Sequence, residues 1–119
     1  MITVLSPAKK LSPECIANGK TYTRPIFLDK SKNLVTILKS LDPVGLQSLM
    51  GISQNLSELN WERFQSWTSD FSPDTSRQAA YSFKGDTYTG LDADSLSEKD
   101  MAFAQGTIRI LSGLYGVLR

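Results

Sequence analysis

Two neighbouring lysines follow the first apolar run of the chain and could bind an anion. Residues 2–5 have the β-branched character of a buried strand, and Pro7 ends the strand because proline cannot donate to a ladder. Lys9 and Lys10 then fall in the loop at the carboxyl end of that strand, where open α/β sheets place ligands. Paired surface lysines also serve as plain solubilising charge, so both interpretations stay open.

A second group of polar residues lies between Lys84 and Gly90. A cation, a carboxylate, hydroxyls and a phenol fall within one turn, directly after an aromatic run that contains Tyr81 and Phe83. Such a density of polar groups often lines a binding site. The lysine precedes its glycine, so the segment is not a Walker loop. A turn that needs Gly85 and Gly90 for its backbone geometry explains the pattern equally well.

A glycine turn near the end of the chain could hold phosphate through outward-facing backbone N–H groups. Its spacing of glycine, apolar residue, any residue and glycine resembles the hairpin of helix-hairpin-helix DNA binders, with Arg109 and Arg119 flanking it. The alternative is a C′ glycine that ends a helix and is followed by a strand. The predicted hairpin consists of Ser112, Gly113, Leu114, Tyr115 and Gly116.

Composition excludes several kinds of chemistry. The chain contains no histidine, which excludes Ser-His-Asp triads and histidine-bound metal sites within this segment. Cys15 has no base beside it and is predicted to be an ordinary side chain in a reducing compartment. We predict no catalytic residue, no metal site and no cofactor. Two carboxylate pairs are assigned to helix starts, where acids offset the dipole: Asp92 with Asp94, and Glu98 with Asp100.

Charge and hydropathy limit the partners. A net charge of +1, from 13 Lys and Arg against 12 Asp and Glu, gives no global attraction for nucleic acid, so any attraction must be local. Residues 1–39 are rich in cations, whereas residues 42–100 carry most of the acid. No apolar run approaches a membrane span and no basic leader precedes residues 2–5, which predicts a cytoplasmic protein without a membrane partner.

Hydrophobic periodicity predicts several helices between short strands. The predicted helices cover residues 31–41 behind a cap at Asp29 or Ser31, 43–51 behind Asp42, 55–69 behind Ser53 or Asn55, 72–80, and 97–112 behind Ser97. In the third helix, Leu56, Leu59, Phe64 and Trp67 form the predicted buried stripe. Residues 12–28 are predicted to be irregular with an extended piece at 21–23, residues 80–86 form a strand, and residues 88–91 form a turn.

This order of elements predicts a mixed α/β or α+β fold in which helices pack on a small mixed sheet, as a compact single domain over residues 1–119. Val117 and Leu118 are buried-type residues with nothing after them to pair with. We therefore expect the sequence to continue beyond Arg119.

Four stretches of the chain are distinctive when taken together: Ser6-Pro7-Ala8-Lys9, Arg77-Gln78-Ala79, residues 83–91 and residues 111–119. They resemble, in order and over the whole chain, the bacterial YaaA family of peroxide stress resistance proteins, also called the UPF0246 or DUF328 family. Members of that family are considerably longer, so the resemblance identifies this chain as an amino-terminal portion.

The resemblance implies a cytoplasmic protein, induced by hydrogen peroxide, that lowers free intracellular iron and limits damage to DNA and proteins. It also implies a compact mixed α/β fold with a basic cleft that contains a helix-hairpin-helix-like element and binds DNA. Carried over to this sequence, Lys9, Lys84 and Arg109 would supply charge in the cleft, and residues 112–116 the hairpin. Lys10 departs from the family pattern, which usually has threonine there.

The leading hypothesis is a stress protein that binds double-stranded DNA. Its predicted contacts are Lys9, Lys10, Lys84, Arg109, Ser112, Gly113, Leu114, Tyr115, Gly116 and Arg119. The alternative is an enzyme or small-molecule binder that uses the Lys9 loop and the 84–90 turn as one anion pocket. That pocket would be formed by Ser6, Lys9, Lys84, Asp86 and Tyr88. Direct iron binding by this segment is not expected, because only carboxylates could serve as ligands.

Overall fold

The computed structural model describes residues 1–12 and 21–119, and the chain divides into two compact units. Unit 1 contains Met1–Phe27 and Asp70–Arg119, and unit 2 contains Leu28–Ser69. The interpretation of Cys15 concerns a residue outside the described ranges. The assignment of residues 1–119 to a single domain stays a prediction.

The described residues contain short strands and helices of mixed length. The strands are β1 (Thr3–Leu5), β2 (Lys10–Leu11), β3 (Phe83–Lys84), β4 (Ile108–Ser112) and β5 (Gly116–Leu118). The helices are α1 (Leu28–Lys39), α2 (Pro43–Met50), α3 (Gln54–Ser66), α4 (Ala79–Ser82), α5 (Asp86–Leu91) and α6 (Glu98–Thr107), with a 3-10 turn at Ala93–Ser95. The predicted α+β class is confirmed.

Unit 1 contains two small sheets. In the three-stranded sheet, β4 lies between β1, to which it is parallel, and β5, to which it is antiparallel. The second sheet pairs β2 with β3 antiparallel. Ile110 of the central strand is buried, whereas Val4 on the edge strand β1 is half exposed, so the prediction of a buried first strand is wrong. Val117 and Leu118 belong to β5, which pairs with β4, the strand that precedes it in the chain.

Helix α6 begins where its cap predicts and ends earlier than its apolar residues suggest. The Ser97 hydroxyl accepts a hydrogen bond from the Asp100 N–H at 3.2 Å and donates to the Asp100 carboxylate at 2.6 Å. The helix ends at Thr107 rather than at residue 112. From Ile108 onward the backbone pairs with β1, and this ladder outweighs a helical pattern of apolar residues that contains β-branched isoleucines.

Residues 72–91 differ most from the predictions. The helix expected over residues 72–80 is a turn at 73–75 followed by α4, and the strand expected over residues 80–86 is reduced to β3. The turn expected at 88–91 belongs to helix α5. The glycine and hydroxyl residues of this stretch favour turns locally, and a helix here instead follows from the packing of buried Tyr88.

Unit 2 consists of three helices, and two of them begin at a local side-chain cap. The Asp42 carboxylate accepts a hydrogen bond from the Gly45 N–H at 2.7 Å, and Gly51 ends α2 with a left-handed φ of 62°. Ser53 caps α3 as predicted. Helix α1 starts at Leu28, so the predicted caps Asp29 and Ser31 lie inside it, and that prediction is wrong.

The core of unit 2 is small. Val35 and Leu46 are its buried apolar side chains among the described residues, and Ser57 is also buried. Leu56 and Leu59 are exposed, which contradicts their place in the predicted stripe. Ser57 takes the inward position on α3, because a small side chain that hydrogen-bonds the Gln54 carbonyl at 2.8 Å can sit at a close helix contact.

Candidate functional site

The parallel pairing of β1 with β4 brings two of the predicted elements to one edge of the sheet. Leu5 at the end of β1 lies opposite Ile110, two residues before the end of β4. The loop that follows β1 and the turn that follows β4 therefore leave the sheet at its same, carboxyl edge. This is the edge where parallel strands usually present ligand-binding loops.

A buried tyrosine holds the loop after β1 against the segment that begins α5. The Tyr88 hydroxyl donates a hydrogen bond to the Ser6 carbonyl at 2.7 Å. Between these elements Gly85 adopts a φ of 149°, which favours glycine, and a Cβ there would lie 3.7 Å from the Ala8 side chain. Gly85 is thus required for its backbone conformation rather than for space.

The environment of Tyr88 keeps its phenol protonated. The side chain is almost fully buried, and its ring lies 5.3 Å from the Phe83 ring. Burial raises the pKa of Tyr88 because the phenolate would lose its hydration. Tyr88 is therefore a structural hydrogen-bond donor that fixes the loop.

Two lysines lie side by side across the small sheet. Lys10 on β2 is directly opposite Lys84 on β3, so their side chains project from the same face with Cβ atoms about 5 Å apart. Neither has an ion-pair partner among the described residues. Like charges in this position are destabilising unless an anion lies between them. We call Lys10 and Lys84 the lysine pair.

A cavity of about 220 Å³ opens beside Lys84. Of the predicted pocket residues, Lys84 and Tyr88 line it, whereas Ser6, Lys9 and Asp86 do not. Its other lining residues were not predicted from the sequence to belong to a site, and Asp92 and Asp94 were predicted to lie at a helix start. Asp92 ends α5 and is also the N-cap of the 3-10 turn, and Asp94 lies in the first turn of that element, so both acids lie at the start of a short 3-10 helix. The cavity is lined by Ala80, Tyr81, Phe83, Lys84, Tyr88, Thr89, Asp92, Ala93 and Asp94.

The closing turn joins two strands rather than two helices. Ser112 at the end of β4 pairs with Gly116 at the start of β5, which corrects the expectation of a helix-hairpin-helix element here. The Tyr115 N–H donates to the Ser112 hydroxyl at 3.1 Å, so that amide is turned inward rather than toward a ligand. The Tyr115 ring meets Phe71 edge-on at 5.8 Å, and Gly113 is exposed.

The two glycines of this turn have different roles. Gly116 has a left-handed φ of 73°, and a Cβ there would lie 2.8 Å from the Phe27 ring. A Cβ on Gly113 would have nothing within 4 Å. Gly116 is therefore fixed by both backbone conformation and close packing, and Gly113 by neither.

The arginines that were expected to flank the turn lie away from it. Arg109 donates to the carbonyls of Gln105 at 3.0 Å and Ile108 at 2.6 Å, so its guanidinium covers the end of α6. It lies three residues before Ser112, about 10 Å along the strand at roughly 3.3 Å per residue. Arg119 follows Leu118, which pairs with Ile110. Both arginines are therefore at the end of the hairpin opposite its turn.

The described residues also bear on metal binding and membrane insertion. Within residues 1–12 and 21–119, His, Cys, Asp and Glu side chains form no group of three that could hold a metal ion. No helix in these ranges has the length and hydrophobicity needed to cross a bilayer.

Comparison with known proteins gives one consistent result. The family model for peroxide stress protein YaaA matches residues 1–119. UPF0246 proteins from Shewanella piezotolerans and Burkholderia orbicola are each 47% identical over 119 residues, which is 100% of this chain and 46% of theirs. A third, from Shewanella halifaxensis, is 44% identical over the same lengths. The chain spans about half the length of these curated relatives. The chain belongs to the peroxide stress protein YaaA family, also called UPF0246.

Proposed function

We propose that this chain is part of a cytoplasmic peroxide stress protein that binds double-stranded DNA and helps to limit free iron and oxidative damage. The observation that carries the DNA-binding part is the lysine pair: Lys10 and Lys84 lie directly opposite each other without an ion-pair partner among the described residues. Membership in a peroxide stress family supports the physiological part.

The lysine pair favours an anion with closely spaced negative charges. Bringing two ammonium groups together costs free energy, and a phosphate between them offsets that cost through charge-assisted hydrogen bonds. Lys9 precedes the pair in the chain and adds a third cation. Because the net charge of the chain is only +1, attraction to a polyanion depends on this local cluster.

The closing hairpin has a smaller role in this proposal than the sequence implied. Its turn leaves the sheet at the same edge as the Lys9 loop. Arg109 is engaged at the end of α6, and the Tyr115 amide is engaged by Ser112. We therefore assign the main phosphate contacts to Lys9, Lys10 and Lys84, with exposed Gly113 as an additional backbone contact.

The test is the salt dependence of duplex binding by the 119-residue chain. Fluorescence anisotropy with a labelled duplex should give an affinity that falls steeply with KCl, because each phosphate contact releases counterions. Lys10→Ala and Lys84→Ala should each lower the affinity and reduce the slope of log K against log salt by about 0.9.

Lys99→Ala is the matched control. Lys99 is an exposed lysine of unit 1 on α6, and its removal changes the net charge equally. It should leave the salt slope unchanged. A flat salt response of the wild-type chain, or equal effects of Lys84→Ala and Lys99→Ala, would contradict the proposal.

The limitation of free iron is proposed as an indirect effect. Apart from residues 13–20, the chain offers no cluster of metal ligands, and a hard oxygen site needs several carboxylates. Equilibrium dialysis of the chain against Fe²⁺ should therefore show no stoichiometric binding at micromolar metal. Tight one-to-one binding of Fe²⁺ would instead mean that the chain lowers free iron by sequestering it directly.

A small-molecule anion binder remains the second candidate, because one observation favours it. The loop that carries Ser6 and the segment that carries Tyr88 are in direct contact, as a shared anion pocket requires. Isothermal titration with inorganic phosphate discriminates the two functions. Micromolar binding of free phosphate that duplex DNA cannot displace would favour the small-molecule candidate.

A further inference from the structure

The cavity beside the lysine pair is not used by phosphate binding. Its volume of about 220 Å³ is below the roughly 300–1,000 Å³ of sites for drug-sized ligands, so it has room for one small ring system. Its walls come from the end of α4, from β3, from α5 and from the 3-10 turn that follows, all within unit 1.

Its lining combines aromatic side chains with a hydrogen-bond acceptor and with a hydroxyl that can donate or accept. Tyr81, Phe83 and Tyr88 supply aromatic surface, and Asp92 and Thr89 supply acceptor and hydroxyl groups. A flat ring that carries N–H donors matches this combination, because it can lie against aromatic surface while its edge donates to a carboxylate.

The aromatic wall is held in place from outside the cavity. The Arg77 guanidinium lies 5.9 Å from the centre of the Tyr81 ring and donates to the Ser12 hydroxyl at 3.0 Å. Asp92 has a left-handed φ of 44°, a conformation that asparagine and aspartate tolerate better than most residues. The walls are therefore positioned before a ligand arrives.

Lys84 belongs both to the lysine pair and to the wall of the cavity. We propose that the cavity takes the base of a single unpaired nucleotide whose phosphate contacts Lys10 and Lys84. The inference rests on the proposed DNA binding and deepens it: the preferred substrate is a strand with an unpaired base rather than a fully paired duplex. The base and the phosphate of one nucleotide are linked through its sugar, so they can occupy the cavity and the neighbouring lysine pair at the same time.

The experiment compares two labelled single strands of equal length and charge in the anisotropy assay. One carries deoxycytidine throughout, and the other carries abasic tetrahydrofuran residues. The wild-type chain should bind the strand with bases about tenfold more tightly, as expected for stacking of one base. The ratio of the two affinities is the readout, because it cancels attraction that depends only on charge.

Matched variants separate the cavity from the lysine pair. Asp92→Asn keeps the left-handed backbone and Thr89→Val keeps the side-chain shape, and each should reduce the affinity ratio toward one. Asp74→Asn, at an exposed acid outside the cavity, should leave the ratio unchanged. Lys10→Ala should weaken both strands equally, since Lys10 contacts only phosphate in this proposal.

Free cytidine tests the cavity without any phosphate. Amide chemical-shift changes at Thr89 and Asp92 on titration with cytidine, reduced in the Asp92→Asn variant, would support base binding even if salt-dependent binding failed. Equal affinity for the two strands together with no shift changes would overturn the cavity proposal. If lysine variants still weakened both strands in that case, phosphate binding would stand.

Discussion

Two lysines of unit 2 and two lysines of unit 1 differ in how their charges are satisfied. In unit 2, the Lys39 ammonium donates to the Trp67 carbonyl at 3.2 Å, and Lys32 lies 3.5 Å from the Asp29 carboxylate. In unit 1, Lys10 and Lys84 face each other without such partners among the described residues. The two lysines of unit 2 therefore make contacts within their own unit, whereas the lysine pair of unit 1 is the place where we propose that an external anion binds.

The units also differ in how their shape is specified. Unit 2 consists of three helices of eight or more residues with local caps at Asp42 and Ser53. Unit 1 depends on strand pairs between residues far apart in sequence, such as Leu5 with Ile110. Substitutions in unit 2 should therefore alter stability alone, and those in unit 1 should alter stability and binding together.

The largest effect is expected in the core of unit 2. Leu46 is fully buried, so Leu46→Ala should lower the free energy of unfolding by about 3 to 5 kcal/mol through lost burial and a cavity. Leu49→Ala, at a side chain that is 64% exposed, should change it by less than about 0.5 kcal/mol. Urea unfolding followed by circular dichroism measures both. If the folded Leu46→Ala variant lost DNA affinity, the expectation that substitutions in unit 2 alter stability alone would be wrong.

Two left-handed glycines provide the next comparison. Gly116→Ala in unit 1 should cost about 2 to 4 kcal/mol, because a Cβ would meet the Phe27 ring at 2.8 Å in addition to the φ penalty. Gly51→Ala in unit 2 should cost about 1 to 2 kcal/mol, since its φ is similar and its surroundings are open. The same urea titration applies, and equal costs would contradict the close packing against Phe27.

Tyr88→Phe should lower stability by about 1 kcal/mol at neutral pH, because the Ser6 carbonyl loses its donor. Burial raises the pKa of folded Tyr88 above its unfolded value, so its contribution is complete below about pH 10 and declines as the pH rises through the folded pKa. The variant should therefore lose less stability above pH 10 than the wild type in pH-dependent urea unfolding.

Tyr22→Phe is the control for this pH dependence, because Tyr22 is about half exposed in the same unit. It should reproduce the wild-type profile. If Tyr88→Phe also showed the wild-type dependence of stability on pH, burial of Tyr88 would not influence stability at high pH.

The smallest stability effect should come with a clear change in binding. Lys10→Glu places an opposite charge across from Lys84, so stability should rise by about 0.5 kcal/mol while duplex affinity falls. Lys9→Glu makes the same charge change next to the paired position and should lower affinity without this gain. Urea unfolding and anisotropy on the same samples test both, and a stability loss in Lys10→Glu would contradict the cross-strand geometry.

Local chemistry made part of this fold predictable. Asp42 with Pro43, Ser53, and Ser97 with Asp100 mark three helix starts, because their hydrogen bonds join residues only three apart. The errors occur where distant partners compete with local preference. Residues 108–112 contain apolar side chains at helical spacing, and they form a strand because β1 lies alongside.

The candidate site shows the same division. The polar residues at 6–10 and 84–90 were identifiable from their types, and Lys84 and Tyr88 do line a cavity. The position of Lys10 opposite Lys84 could not be predicted, because it depends on the pairing of β2 with β3. The contribution of Tyr81 and Asp92 to the cavity could not be predicted either, because it depends on where α5 ends.

The sequence by itself determined the family, the α+β class and the caps of α2, α3 and α6, and it marked two groups of polar residues as candidates for a site. These depend on residue types and short spacings, which act over a few residues. Only the tertiary structure decided that Lys10 meets Lys84, that Arg109 is engaged at the end of α6, and that the closing turn joins strands. The position of Lys10 depends on pairing between strands far apart in the chain. Residues 108–112 form a strand because β1, from the start of the chain, lies alongside them. The Arg109 contacts and the closing hairpin are local, but both follow from that strand.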